Sequence, residues 1–157
     1  MEKITSFTVD HRYITPGIYL SRVDGDIKTY DLRTKKPNSD DVMDNKTMHT
    51  FEHLFATYIR NSEIKDNVIY FGPMGCATGF YLLVRNSNDR QTLSVIKEVL
   101  QKIINHKGEV FGSSEIECGN YKTLCLESAV SQAKDYLEVL TSINNIDFKY
   151  PLEVVGK

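Results

Sequence analysis

The chain has no tryptophan, and no run of apolar residues in it approaches the length needed to cross a bilayer. Its opening, MEKITSFTVDHR, mixes acids with bases and lacks the apolar stretch of a secretory signal. A cytoplasmic protein without membrane contact is expected. Charge of one sign is also missing: 19 basic residues face 21 acidic ones, for a net charge of −2. The basic residues are spread along the chain, so there is no broad electrostatic footprint for a phosphate backbone, and nucleic acid is not expected as a partner. Only three cysteines are present, Cys76, Cys118 and Cys125, and an odd number cannot all pair within one chain. In reducing surroundings each thiol needs another role, and metal ligation, catalysis and simple burial are the candidates. No internal repeat, low-complexity tract or long linker divides the sequence, so one domain over residues 1–157 is expected.

A chain of 157 residues with 41% hydrophobic and 25% charged residues has ordinary globular composition. A domain of that size buries roughly 70% of its unfolded surface, enough for a core of its own. Residues 17–23 and 27–33 are rich in β-branched and aromatic types around Asp24-Gly25-Asp26, which predicts a hairpin. From Asn45 to Asn61 the pattern is helical, with Phe51, Leu54, Phe55, Tyr58 and Ile59 on one face and Asp44 or Asn45 as cap. Residues 68–71 and 79–84 read as two further strands. Two amphipathic helices follow, one carrying Leu93, Ile96, Val99, Leu100, Ile103 and Ile104, the other Leu126, Ala129, Val130, Ala133, Tyr136, Leu137 and Leu140. The order predicts an α+β fold, an antiparallel sheet with helices packed on one face.

The segment His49-Thr50-Phe51-Glu52-His53 is the most informative. A four-residue separation puts both imidazoles on one side of a helix with Glu52 between them, the spacing of an HxxEH metal helix. The same stripe, continued by Ala56 and Arg60, also fits the solvated side of an amphipathic helix. Glu52 favours the metal, because an acid there can accept a proton from bound water or substrate. Two histidines leave a tetrahedral site incomplete, and Cys118 is the best third ligand, since Gly119 directly after it would let the backbone approach a metal closely, leaving one position open. A small buried apolar residue is the alternative for Cys118.

Gly72-Pro73-Met74-Gly75-Cys76-Ala77-Thr78-Gly79 is a tight, glycine-rich turn that would present the Cys76 thiol as base or nucleophile, or simply pack it. Cys125 reads as structural, at the start of the last helix.

Taken together, Ser6-Phe7-Thr8-Val9-Asp10-His11, Tyr30-Asp31-Leu32-Arg33, Pro37-Asn38, His49-Thr50-Phe51-Glu52-His53-Leu54, Gly72-Pro73-Met74-Gly75-Cys76, Thr78-Gly79-Phe80-Tyr81 and Cys118-Gly119 resemble, in order, the S-ribosylhomocysteine lyase (LuxS) family of autoinducer-2 synthesis enzymes. HTxEHL followed by PMGCxTG is specific as a pair, whereas HxxEH alone is not. The resemblance implies a homodimer of α+β sandwich subunits with active sites at the subunit interface. Each site would hold one divalent metal, iron(II) in the native enzymes and replaceable by zinc or cobalt. Carried over by motif, His49, His53 and Cys118 are the metal ligands, Cys76 and Glu52 the acid/base pair, and Ser6, His11 and Arg33 the substrate-side residues.

The implied reaction cleaves S-ribosylhomocysteine. Two proton shifts move the sugar carbonyl from C1 to C3, and loss of the C4 proton then expels homocysteine by β-elimination, leaving 4,5-dihydroxy-2,3-pentanedione. The resemblance implies that this product is the autoinducer-2 precursor of quorum sensing, or a by-product of returning homocysteine to the methyl cycle. The chain departs from the family where Tyr70-Phe71-Gly72 replaces an acidic residue before the turn, and where residues 118–126 lack a histidine shortly before Leu126-Glu127. Two other functions compete: an inverted-zincin metallopeptidase, which also uses HxxEH, and a non-catalytic binding module with a closed structural metal.

Overall fold

The computed structural model describes residues 1–151; the last six positions of the expected 1–157 domain lie outside the described residues. Two hairpins form the sheet. Strand β1 (Gly17–Asp24) turns through Gly25 and Asp26 into β2 (Ile27–Arg33), with Gly25 at φ +60°, the left-handed conformation such a turn requires. Strands β3 (Val68–Pro73) and β4 (Gly79–Arg85) make the second hairpin, and the antiparallel order is β1-β2-β4-β3. The long connection between hairpins is helix α1 (Asn45–Ile59), while α2 (Asp89–Ile104) and α3 (Leu126–Ser142) follow β4.

Side-chain alternation decides which face of the sheet is covered. Ile18, Tyr30, Leu32, Phe71, Phe80, Leu82 and Val84 are buried in one continuous core with the apolar faces of the helices. The opposite face carries Thr29, Asp31, Arg33, Tyr70, Tyr81 and Leu83, and there the segments around Ile14 and Tyr150 pack against Tyr19. This is the α+β arrangement that the sequence predicts.

Local chemistry explains the helix bounds. Asp44 caps α1 by accepting from the Thr47 amide at 2.8 Å, and Asn88 caps α2 by accepting from the Gln91 amide at 3.0 Å. Helix α1 buries Phe51, Leu54, Phe55 and Ile59, while Tyr58, expected with them, is only part-buried and turns toward the loop after α2. In α3 the small residues Ala129 and Ala133 are fully buried, and the hydroxyl of buried Tyr136 donates to the Gly17 carbonyl of β1 at 2.8 Å.

Helix α1 is fastened to the second hairpin by stacked rings: Phe51 on Phe80 with centroids 4.8 Å apart, Phe55 on Phe71 at 4.2 Å, and Phe71 on Phe80 at 5.0 Å. Offset stacking adds to area burial in such pairs. Replacing Phe51 by Ala empties the centre of the stack and is expected to cost about 3–5 kcal/mol, read from the urea midpoint of unfolding.

Candidate metal centre and catalytic turn

Helical spacing brings His49 and His53 to the same side of α1, and the loop before α3 returns Cys118 to them. One ligand atom from each of the three lies within 4.8 Å of the others. The Cys118 Sγ is 3.3 Å from His49 Nε2 and 3.7 Å from His53 Nε2. Among the described residues these three make the one such cluster of His, Cys, Asp and Glu, which leaves a tetrahedral ion a position without a protein ligand. The donor set, two imidazole nitrogens and one thiolate, suits a divalent transition metal.

The other ring nitrogen of each histidine is spoken for. His53 Nδ1 is 2.8 Å from the Phe111 carbonyl, which can only accept, so the proton sits on Nδ1 and Nε2 presents its lone pair to the cluster. His49 Nδ1 is 2.6 Å from Thr123 Oγ1, whose own hydroxyl donates to the Asn120 carbonyl at 3.0 Å. That second bond turns the Thr123 lone pairs toward His49 and fixes its tautomer in the same way. Burial, with His53 nearby, pushes the His49 pKa down and favours the neutral, ligating form. The Asn120 amide donates to Cys118 Sγ at 3.4 Å.

The glycine after Cys118 does not serve the close approach suggested for it, because a side chain at Gly119 would meet nothing within 4 Å. Gly112 is the constrained one. It has φ +67°, and a Cβ there would lie 3.2 Å from His53 Nδ1.

Glu52 stands beside the cluster in a cleft lined by Met48, His49, Pro73, Asn120 and Thr123. Burial raises its pKa, with the charge of His53 opposing, so its proton is more readily held near neutrality than that of a free carboxyl. Pro73 ends the strand that leads to Cys76, so the turn carrying this thiol borders the same cleft. In that turn Met74 and Gly79 pair across the hairpin mouth, and the left-handed residue is Ala77, at φ +63°, rather than a glycine. Gly79 is required for a different reason: a Cβ there would sit 2.7 Å from the Leu32 carbonyl.

Cys76 is exposed, with Sγ 3.0 Å from Thr78 Oγ1. Arg33 Nη1 donates to the same Thr78 oxygen at 2.9 Å, leaving the threonine proton free to point at the sulfur. Arg33 and Asp31 form a buried pair, 2% and 0% exposed, through bonds of 3.1 and 2.6 Å. The Tyr150 hydroxyl donates to Asp31 at 2.7 Å, completing the partners that a buried ion pair demands. Ser6, His11 and Arg33 line one small cavity with Asp31, Tyr81 and Tyr150, on the sheet face away from the helices. The structure thus places the eight residues singled out in the sequence in two groups within one chain, His49, Glu52, His53 and Cys118 at the cleft, and Ser6, His11 and Arg33 at the small cavity. Cys76 lies on the turn between them, linked to Arg33 through Thr78.

Sequence reasoning missed Thr123, Phe111, Thr78, Asp31 and Tyr150. Of these, Asp31 and Thr78 stand inside quoted motifs, but nothing in residue spacing marks the others. Cys125 occupies the N-cap of α3 with its amide donating to Thr50 Oγ1 at 2.7 Å, in keeping with a structural role. Leu124 packs, partly buried, against the core. Tyr70 lies over Gly72, where a Cβ would overlap its ring.

An α+β protein with a possible metal-binding triad, two histidines on a helix and a cysteine from a loop, is the class these features define. A family model described as S-ribosylhomocysteinase (LuxS) matches residues 4–146. The S-ribosylhomocysteine lyase of Borreliella afzelii is 41% identical over 157 residues, covering 96% of this chain and 100% of that protein. The proteins of the same name from Finegoldia magna and Clostridium acetobutylicum are 43% and 42% identical, each covering 96% of this chain and 99% of their own. The chain belongs to the S-ribosylhomocysteinase (LuxS) family.

Because Thr123 is what orients His49, Thr123→Val is expected to weaken zinc retention by about 10-fold, at the low end of what losing an outer partner costs. Competition with a chromogenic chelator checks this. A serine at position 123 should restore most of the loss.

Proposed function

We infer that this chain cleaves S-ribosylhomocysteine to homocysteine and 4,5-dihydroxy-2,3-pentanedione. The observation that carries the reading is the convergence of His49, His53 and Cys118 beside half-buried Glu52, at a cleft bordered by the strand that leads to Cys76, in a chain of this family. A divalent cation held by those three ligands, iron(II) with zinc or cobalt able to replace it, would supply Lewis acidity toward the sugar oxygens.

The proton transfers fall to the chain's own side chains. Glu52, its pKa raised by burial, is suited both to take and to return a proton during carbonyl migration. Cys76 acts from the turn as the second acid/base group, with Thr78 and Arg33 behind it. In the last step a base removes the C4 proton, the electron pair forms a C4–C5 double bond, and the C5–S bond breaks to release homocysteine thiolate. The resulting enol of 4,5-dihydroxy-2,3-pentanedione then ketonises by taking a proton at C5. On the substrate side Ser6 and His11 orient ribose hydroxyls, while Arg33, behind Thr78, stabilises the Cys76 thiolate or an enediolate.

The working unit is a homodimer of single-domain subunits in the cytoplasm. Two observations support the dimer: the substrate-side and metal-side residues line separate cavities within one chain, and Ile4, Phe7, Tyr13 and Tyr70 are exposed. Among the described residues no helix is long and apolar enough to cross a membrane.

Anaerobic incubation of metal-loaded protein with S-ribosylhomocysteine should release free thiol, followed with a disulfide reagent. Cys76→Ala should release none. Glu52→Gln should keep its metal and lose turnover by at least 100-fold, the lower range for a general acid/base group, whereas His53→Ala should lose both. Peptide cleavage by a fully active Cys76→Ala protein would point instead to a metallopeptidase. Sedimentation at micromolar concentration should give a dimer, and monomer alone would contradict the shared site.

A further inference from the structure

The Phe111 carbonyl can orient His53 only if the loop carrying it is itself immobilised. That loop, after α2, contains no helix or strand between Ile104 and Cys118, so backbone ladders do not hold it. Side chains do. The Tyr58 hydroxyl lies 2.6 Å from His106 Nδ1, and His106 Nε2 lies 2.8 Å from the Glu109 carbonyl. A carbonyl only accepts, so in the neutral ring Nε2 carries the proton and Nδ1 accepts from Tyr58.

Phe111 closes the group. Its ring meets Tyr58 edge-on at 5.1 Å and His106 edge-on at 4.9 Å, while Tyr58 and His106 meet edge-on at 5.8 Å. Three rings in mutual edge contact, two hydrogen bonds and buried Val110 tie the loop to α1. Tyr58 stands five residues after His53 on that helix, so the ligand and the anchor of its orienting carbonyl share one rigid element. The chain then turns away at Gly112, where φ is +67° and a Cβ would crowd His53 Nδ1 at 3.2 Å.

We propose that Tyr58, His106 and Phe111 form a clamp that holds the Phe111 carbonyl on His53 and thereby sets how slowly the metal leaves the His49–His53–Cys118 site. Resting on the metal reading of that cluster, the clamp makes these three positioning residues outside the ligand set. It also gives His106 a purpose that neither the ligands nor the acid/base pair requires. If the contacts only packed the loop, their loss would lower the unfolding midpoint without changing metal retention.

The test uses the full-length protein loaded with cobalt(II), whose thiolate absorption band is followed after adding excess chelator. Tyr58→Phe keeps the ring and removes one hydroxyl, and should speed cobalt loss several-fold with the thermal unfolding midpoint unchanged. His106→Ala should speed it by roughly 10-fold or more, within the range known for outer-partner removal. His106→Gln, which can accept from Tyr58 and donate to Glu109, should recover part of that loss. Cobalt release at the wild-type rate from both Tyr58→Phe and His106→Ala would overturn the clamp while leaving the metal site intact. Wild-type protein that takes up no cobalt would overturn the metal reading and the clamp together. Should His106→Ala fail to fold, Tyr58→Phe decides alone.

Discussion

Four phenylalanine rings, Phe51 and Phe55 on α1 with Phe71 and Phe80 on the second hairpin, carry the geometry on which the candidate site depends. His49, Glu52 and His53 belong to the helix and Cys76 to the hairpin, so the packing of the two elements sets where these groups stand relative to one another. Stacking between large buried rings fixes both distance and rotation, since offset faces tolerate little sliding in a close-packed interior. Rotation matters most, because Phe51 and Glu52 are neighbours on the helix. Burying one aims the other at the cleft.

Around that apolar joint, hydrogen bonds hold the two histidines and the buried ion pair in place. His49 is held by Thr123 and His53 by Phe111, both through Nδ1, so the two Nε2 atoms and Cys118 Sγ converge as lone-pair donors. On the far side of the sheet the Arg33–Asp31 pair is buried, and Tyr150 completes it. Removing one member would leave a buried charge uncompensated, a cost of several kcal/mol. The pair therefore holds the Thr78 hydroxyl, and with it the surroundings of the Cys76 sulfur, in one arrangement. Three distant stretches of chain, around residues 31–33, 76–78 and 150, meet there.

Much of this was legible in the residue pattern. The three- and four-residue spacing of Phe51, Leu54 and Phe55 located the helix and its buried face, and HxxEH on the other side located the histidines. Asp24-Gly25-Asp26 located the first hairpin, and the glycine-rich turn located Cys76. Where the reading erred, tertiary contact was the cause. Tyr58 fits the apolar stripe by spacing but is drawn to the edge of the core by His106 and Phe111. Gly119 follows a ligand yet has open space around it, while Gly112, with nothing beside it in sequence to distinguish it, abuts His53. Ala77 takes the left-handed conformation in a turn that offers glycines.

The sequence by itself determined the elements, the packing of helices on one face of the sheet, the family resemblance and the identity of the candidate ligands and bases, because periodicity and short motifs are local and survive without knowledge of the fold. Only the tertiary structure decided which imidazole nitrogen faces the cluster, that Thr123 and Phe111 enforce it, and that Asp31, Tyr150 and Thr78 stand behind Cys76. Those decisions rest on hydrogen bonds between residues 45 to 119 positions apart. No local pattern encodes such pairs, because the backbone brings them together only after the helices and hairpins have packed.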